Sequence, residues 1–300
     1  MTALDRTGEA KRLTATLAGG MAVLLWSLLA LFTTWASGIP PFQLVSLCFT
    51  VAALIGFATI ARKGRAGWRS LRQPAGAWAL GTFGLFGYHF FYFMALGNAP
   101  AVEASLIAYL WPLLIVVFSA LLPGEQLRWF HLGGALLGLA GAALLVTKGQ
   151  GLAFDARYSL GYLAAVACAL TWSAYSVTNR RFGGVPTETV AGFCAAAALL
   201  GFVSHALFET WVAPSASQWG AILLLGLGPV GAAFFVWDYG TKHGHIQALG
   251  AFAYAAPLLS TLLLIAFGQA EATWTIALAC ALIVGGALLA SLDLLRRRSS

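Results

Sequence analysis

Long apolar runs alternate along the whole chain with short segments that hold charges, prolines or glycines. A helix of about 20 apolar residues rises about 30 Å, the thickness of the hydrocarbon core of a bilayer. Read on that scale, the pattern predicts helices near 14–36, 42–61, 76–96, 101–121, 131–147, 158–179, 187–208, 217–239, 247–267 and 273–294. Ten such spans leave only short connections and no room for a folded domain outside the membrane. The polar segment Met1 to Arg12 carries charges of both signs and leads into a run of full span length, which predicts a retained first helix rather than a signal peptide.

Composition agrees with this pattern. The chain is 60% hydrophobic and 9% charged, against roughly 25% charged in a soluble domain, which excludes a soluble globular protein. A net charge of +7 would suit nucleic acid in a soluble chain, but here the basic residues sit between the apolar runs. Placing the N-terminus in the cytoplasm puts Arg6, Lys11, Arg12, Arg62, Lys63, Arg65, Arg69, Arg72, Arg128, Arg180, Arg181, Lys242, Arg296, Arg297 and Arg298 on that side. Only Lys148 and Arg157 then fall outside, so the distribution of positive charge selects this topology and an even number of spans returns the C-terminus to the cytoplasm. Seven of the 11 tryptophans (Trp35, Trp68, Trp78, Trp129, Trp211, Trp219 and Trp274) mark span ends, where an amphipathic ring suits the headgroup layer. The other four, Trp26, Trp111, Trp172 and Trp237, lie within spans. Cys48, Cys168, Cys194 and Cys280 fall inside apolar runs without paired spacing, and read as small core residues rather than disulfides or metal ligands.

Sliding the chain against itself by 145 positions aligns residues 80–146 with 225–291 without a gap. Leu80-Gly81 meets Leu225-Gly226, Ala108-Tyr109 meets Ala253-Tyr254, Pro112-Leu113-Leu114 meets Pro257-Leu258-Leu259, and Trp129 meets Trp274. One residue out of register, Trp26-Ser27 meets Trp172-Ser173. Five helices is an odd number, so the second half enters the membrane from the opposite side. The prediction is an all-α polytopic membrane protein of two inverted five-helix repeats, residues 1–150 and 151–300. Transporters that alternate access around a midplane site are built in this way.

Two stretches carry a resemblance to a known family. In the first half they are Ala95-Leu-Gly-Asn-Ala-Pro-Ala-Val-Glu103-Ala-Ser-Leu, Tyr109-Leu-Trp-Pro112-Leu-Leu and Pro123-Gly-Glu125. The second half echoes them in Trp237-Asp-Tyr-Gly240-Thr-Lys-His-Gly244 and Tyr254-Ala-Ala-Pro257. The chain resembles the drug/metabolite transporter superfamily, EamA type, over nearly its whole length, and looks most like its aromatic amino-acid exporter branch. That resemblance implies outward movement of Phe, Trp, Tyr and related compounds across a bacterial inner membrane. It also implies a cavity lined by the third, fourth, eighth and ninth helices, with the fifth and tenth peripheral.

Polar groups within a span cost about 2.5–3.5 kcal/mol when charged unless they face a cavity or a partner. On the third helix Gly81, Gly84, Tyr88 and Tyr92 recur at helical spacing with His89 adjacent, so small residues would let the wall recede below rings and a phenol. A glycine-lined helix contact with packed tyrosines, and a hydrogen-bonded core histidine, are the structural alternatives. On the fourth helix Glu103, Ile107 and Trp111 lie at i, i+4 and i+8, so a carboxylate near the outer mouth shares a face with an indole nearer the middle. A substrate ammonium would pair with Glu103 and an aromatic side chain would stack on Trp111, unless Glu103 is a solvated first-turn residue favoured by the helix dipole. Pro112 and Pro257 would loosen the backbone at equivalent midspan positions as hinges. Asp238 reads as a proton carrier, an inner gate, or the partner of nearby Lys242. Tyr254 is the repeat partner of Tyr109, and Trp26 and Trp172 occupy matching places, for cavity or for packing.

No Lys or Arg lies in the middle of a predicted span, which disfavours phosphate-ester substrates. The chain has no Gly-x-x-x-x-Gly-Lys-Ser/Thr, His-Glu-x-x-His or Gly-x-Ser-x-Gly motif, and His243 and His245 read as a polar loop, so no cofactor, metal or hydrolytic activity is signalled. The expected partners are the bilayer and a small-molecule substrate, with no nucleic acid. Gly134, Gly138 and Gly141 on the fifth helix, and Gly285 and Gly286 on the tenth, would pack within the monomer or between protomers of a homo-oligomer. The leading expectation is a secondary exporter of aromatic or bulky apolar amino acids. A broad exporter of hydrophobic compounds is the alternative. An intramembrane enzyme using His89, Glu103 and Asp238, or a channel, are readings of a different class.

Overall fold

The computed structural model describes residues 3–150, 154–268 and 271–292, with side chains from Gly8 onward. Arg296, Arg297 and Arg298, which entered the charge reading, lie outside the described residues, as do the side chain of Arg6 and the predicted end of the last helix at 294. Among the described residues every regular element is helical. Nine helices among the described residues are long and apolar enough to cross a membrane: α1 (Gly8–Trp35), α2 (Pro41–Arg62), α3 (Ala75–Asn98), α4 (Ala101–Ser119), α5 (Trp129–Thr147), α6 (Ala156–Phe182), α7 (Thr187–Phe208), α8 (Ala216–His243) and α9 (Ile246–Ala266). A further apolar helix, α10 (Trp274–Ala290), has 17 residues. That length rises about 26 Å, a turn short of the hydrocarbon core.

The starts of these helices follow from local chemistry. Pro41 opens α2, where its fixed φ and missing N–H cost nothing, and Pro74, Pro100 and Pro186 stand immediately before α3, α4 and α7. The first amides of α2 are capped from another helix. Glu209, just past the end of α7, accepts from the N–H of Phe42 at 2.9 Å and of Gln43 at 3.1 Å. Ser215 and Gln218 form a reciprocal capping box at the start of α8.

Two kinds of irregularity recur at repeat-equivalent places. π-helical turns occupy Phe83–Gly87 in α3 and Gly228–Ala232 in α8, 145 residues apart at both ends. Helix α4 breaks at Tyr109 and Leu110, and α9 at Ala253 and Tyr254, just before Pro112 and Pro257. A proline cannot donate to the turn before it and its ring crowds that turn, so the ladder opens on its N-terminal side.

Packing crosses between the two halves of the chain. Helix α1 lies along α8 and α3 along α6; α2 pairs with α7, α4 with α9, and α5 with α10. Helix α4 also meets α6, as α9 meets α1, so the pattern maps onto itself when the first five helices are exchanged for the last five. Small residues set these approaches. A Cβ added at Gly240 would sit 2.5 Å from the Cα of Gly19, and one at Gly134 would sit 2.4 Å from the carbonyl oxygen of Gly286. Gly134, Gly138, Gly141 and Gly286 are thus taken up inside the chain, against α10, Tyr254 and α5, whereas Gly285 faces open space. Cys48, Cys168 and Cys194 are buried and unpaired within the core, and Cys280 is half-buried.

Candidate functional site

The four in-span tryptophans converge. Trp26 of α1, Trp111 of α4, Trp172 of α6 and Trp237 of α8 touch one another in all six combinations, with ring centroids between 5.0 Å for Trp26–Trp237 and 6.3 Å for Trp111–Trp172 and Trp172–Trp237. Several of the pairs are edge-to-face, the arrangement in which the positive edge of one ring meets the negative face of another. The indole N–H groups are held. Trp26 donates to the carbonyl of Pro229, inside the π turn of α8, at 3.1 Å, and Trp237 donates to Ser176 Oγ at 3.1 Å. Ser173 Oγ reaches the carbonyl of Trp111 at 2.9 Å and ties α6 to α4 at the same level. Trp111, Trp172 and Trp237 are buried, Trp237 completely.

A layer of half-buried rings adjoins this centre. Tyr88 lies 5.4 Å from Trp172 and stacks on Tyr92 at 6.1 Å with 4° between the planes. The Tyr92 hydroxyl is 3.3 Å from Ser105 Oγ. His89 Nδ1 donates to the carbonyl of Leu85 within the π turn of α3 at 2.7 Å, which fixes its tautomer, and its ring meets Phe49 and Phe234. Phe234 in turn lies 5.7 Å from Trp172 and stacks on Phe49 at 5.6 Å. The arrangement is an apolar, polarisable surface with phenol and imidazole groups at its accessible edge. A surface of this kind can pack against flat aromatic groups through ring faces and edges.

Tyr254 has a different task. Its side chain is fully buried, and its hydroxyl donates to the carbonyl of Tyr109 at 3.1 Å while accepting the N–H of Leu113 at 3.1 Å. Those two backbone groups are an i, i+4 pair that an unbroken helix would join directly. The hydroxyl is wedged into the α4 ladder and satisfies both halves of the opened bond. Gly138 of α5 leaves room for the ring, since a Cβ there would stand 2.5 Å from it. Tyr109, the repeat partner, is half-buried beside the ring layer instead.

The break in α4 changes the reading of Glu103. Ile107 packs with Ala95, Ala99, Ala104 and Ala165, whereas Trp111 belongs to the tryptophan centre. Glu103 and Trp111 therefore do not share the face of one unbroken helix. Glu103 is half-buried in the first turn of α4.

Asp238 is locked away from the rings. Its Oδ2 accepts from Lys242 Nζ and Thr187 Oγ1, both at 2.8 Å, and its Oδ1 accepts from Asn179 Nδ2 at 3.0 Å. Lys242 also donates to the carbonyl of Val185 at 3.0 Å. The carboxylate and ammonium are almost entirely buried, and charges so buried persist only with partners of this kind. Beyond them, at the end of the molecule rich in basic residues, Arg12 and Arg180 both hold Glu125, at 2.5 and 2.9 Å, and Arg180 donates to the carbonyl of Gly244 at 2.7 Å. Lys63 and Glu188 form a further pair. These contacts join α1, the α4–α5 connection, the end of α6 and the α8–α9 connection, so ion pairs tie the basic end together beneath the tryptophans.

Phe49, Phe234, Ser176 and Pro229 belong to the site but carry no signal in a sequence with 20 phenylalanines and no special spacing at these positions, and Ser173 shows only as the repeat match of Ser27. His89, Glu103 and Asp238 have separate surroundings: a phenylalanine pair, a helix first turn, and the Lys242–Asn179–Thr187 network.

Comparison with known proteins follows the same lines. The sequence profile described as the EamA-like transporter family matches residues 13–147 and again 159–292. The aromatic amino acid exporter YddG of Ancylobacter novellus is 55% identical over 282 residues, 94% of this chain and 98% of that protein. The aromatic amino acid exporter YddG of Escherichia coli is 26% identical over 92% of this chain and 96% of its own length. A probable terminal-alkyne amino-acid exporter of Streptantibioticus cattleyicolor is 26% identical over 92% of this chain and 94% of its own length. A crystal structure of a protein with 54% identity superimposes with a TM-score of 0.89 over 94% of this chain and 98% of that one.

Proposed function

This chain belongs to the EamA-like transporter family, and from that premise we propose that it exports aromatic and bulky apolar amino acids across a bacterial inner membrane. The observation that carries the reading is the ring centre: four tryptophans in mutual contact, floored on the basic side and edged by the half-buried Tyr88, His89 and Tyr92. An aromatic side chain entering beside Tyr88 and Trp172 meets ring faces and edges on several sides, which rewards flat substrates over aliphatic ones of equal area. The relatives named as aromatic amino acid exporters support the same substrate class.

In this reading the two halves, residues 1–150 and 151–300, are inverted five-helix repeats and α10 completes a set of ten spans with both termini in the cytoplasm. The paired π turns, the paired breaks and the exchange-symmetric helix contacts support it. Transport is alternating access: one half rocks against the other, and the basic, cytoplasmic end opens when the ion pairs around Glu125 part. Partly exposed pairs of this kind contribute only about 0–1 kcal/mol each, so the closed end can open within the energy of substrate binding. On this reading, ion pairs joining the basic end correspond to the outward-facing state.

The test is purified protein in liposomes loaded with a mixture of amino acids, followed for which species leave and whether a pH gradient alters the rate. Selective, saturable loss of Phe, Trp and Tyr is expected. Loss no faster than from protein-free liposomes would overturn the reading. One observation favours a broader exporter of hydrophobic compounds: the ring layer carries no fixed charge to read an amino group. Replacing Glu103 with Gln separates the two, because unchanged discrimination between Phe and its deaminated analogue removes Glu103 as the reader of the ammonium.

A further inference from the structure

A cavity of about 250 Å³ lies at the basic end, away from the tryptophan centre, between the start of α1, the α4–α5 connection and the start of α9. Its lining is mainly polar and includes no Trp, Tyr or Phe. Gln247, only 5% exposed, lines it with a side-chain amide that has no protein hydrogen-bond partner among the described residues. Neither amide atom is sealed off from the cavity, so both are free to bond a group that enters it. Arg12 lines the same space. One of its terminal nitrogens holds Glu125, while its buried Nε has no partner. Glu125 is the third component. Arg12 and Arg180 both engage its Oε1, and no protein group among the described residues takes Oε2, although Glu125 lines the cavity.

The cavity thus offers one unfilled carboxylate oxygen, a guanidinium with unfilled donors, and an amide that both donates and accepts. We propose that it is a second binding site, for the zwitterionic head of an α-amino acid, at which the exporter collects substrate from the cytoplasm before the side chain is read at the ring centre. The ammonium donates to Glu125 Oε2 and to the amide oxygen of Gln247; the carboxylate accepts from the amide nitrogen of Gln247 and from Arg12. Arg12 and Arg128 in the lining disfavour a simple amine, and inorganic phosphate tests whether they select an anion instead. With no Trp, Tyr or Phe in the wall, this site reads the head alone, so glycine binds there as well as Phe. This inference rests on the export reading, since a collecting site presupposes cytoplasmic substrate.

The test introduces Cys at Gln126, an exposed residue on the rim, and follows its reaction with a polar maleimide in nanodiscs, where both faces of the membrane are open. Glycine at ten times its half-saturating concentration is expected to slow labelling by about tenfold. Acetate, methylammonium, inorganic phosphate and indole are expected to leave it unchanged. Adding Gln247→Met, which keeps the shape and removes the amide, is expected to abolish the glycine effect while the rate of labelling without glycine stays the same, which shows that the rim is intact. No protection by glycine, equal protection by phosphate, or protection that survives Gln247→Met would each overturn the proposal. If glycine fails to protect while Phe export is intact, the second site alone is lost; failure of Phe export in the unsubstituted protein strikes the export reading instead.

Discussion

Replacing Tyr254 with Phe isolates one hydroxyl that does two structural jobs. In the folded protein it supplies a donor to the Tyr109 carbonyl and an acceptor to the Leu113 N–H, both at 3.1 Å, on a side chain with no exposure. The substitution leaves the ring in its place against Gly138. It also leaves one buried backbone donor and one buried acceptor unpaired, each costing about 1–3 kcal/mol. The two orphans belong to the same helical turn, so partial closure of α4 recovers some of the loss, and we expect a net destabilisation of about 2–4 kcal/mol. Unfolding in mixed micelles with increasing SDS, followed by far-ultraviolet circular dichroism, measures it. Tyr109→Phe is the control, because the repeat partner does not bridge a broken ladder, and its expected cost is under about 0.5 kcal/mol. Phe transport by Tyr254→Phe at a temperature where it stays folded is expected to keep its KM. Equal stability of the two variants, or a Tyr254→Phe protein of normal stability with a greatly raised KM, would refute the wedge and place the hydroxyl on the substrate.

Three further outcomes follow from the geometry. Asp238→Asn or Lys242→Met alone strands a buried charge and is expected to cost about 3–5 kcal/mol, whereas the double replacement costs less than the sum; simple additivity in the same unfolding assay would contradict the pairing. Trp172→Phe keeps an aromatic ring but shrinks the one that touches Trp26, Trp111, Trp237 and Tyr88, and is expected to raise the KM for aromatic export severalfold; an unchanged KM places the substrate elsewhere. In the α8–α9 connection, burial and then the neighbouring Arg12 push His245 down from 6.5 to about 4, so the folded protein holds it neutral. The unfolded chain binds the proton more readily, so stability contributed by this group is complete above about pH 6.5 and is lost as pH falls toward 4, and His245→Gln should flatten that part of the profile; an unaltered slope in an unfolding series across this range would count against it.

Much of the fold was legible because the bilayer imposes it. A helix must satisfy its own backbone in hydrocarbon, so apolar run length translates into element length. The predicted 131–147 and 187–208 accordingly stand beside observed helices Trp129–Thr147 and Thr187–Phe208. For the last helix 273–294 was expected; the described helix is Trp274–Ala290, and the expected end at 294 lies outside the described residues. Within the site, the separation of Trp26, Trp111, Trp172 and Trp237 from the interfacial tryptophans was already visible from depth alone, since an indole N–H in midspan needs a partner and an interfacial one does not. The expected face shared by Glu103, Ile107 and Trp111 fails because helical spacing presumes an unbroken helix, and α4 opens at Tyr109 and Leu110. The wedge of Tyr254 was hidden by the repeat itself, which makes Tyr109 and Tyr254 look interchangeable, whereas only Tyr254 bridges an opened ladder.

Hydrophobic run length, charge placement and the 145-residue offset, all properties of the one-dimensional chain, determined that this is a helical membrane protein with an internal echo. They act locally or by counting, and the membrane supplies the rest of the constraint. Tertiary structure alone decided which side chains meet. It brought four tryptophans from α1, α4, α6 and α8 into mutual contact, turned Asp238 toward Lys242 and Asn179, and left Gln247 facing a polar cavity without a partner. Those outcomes depend on rotations and breaks of helices that pack through small residues, where a change of a few ångströms or one π turn redirects a whole face, and no spacing rule along the chain encodes them.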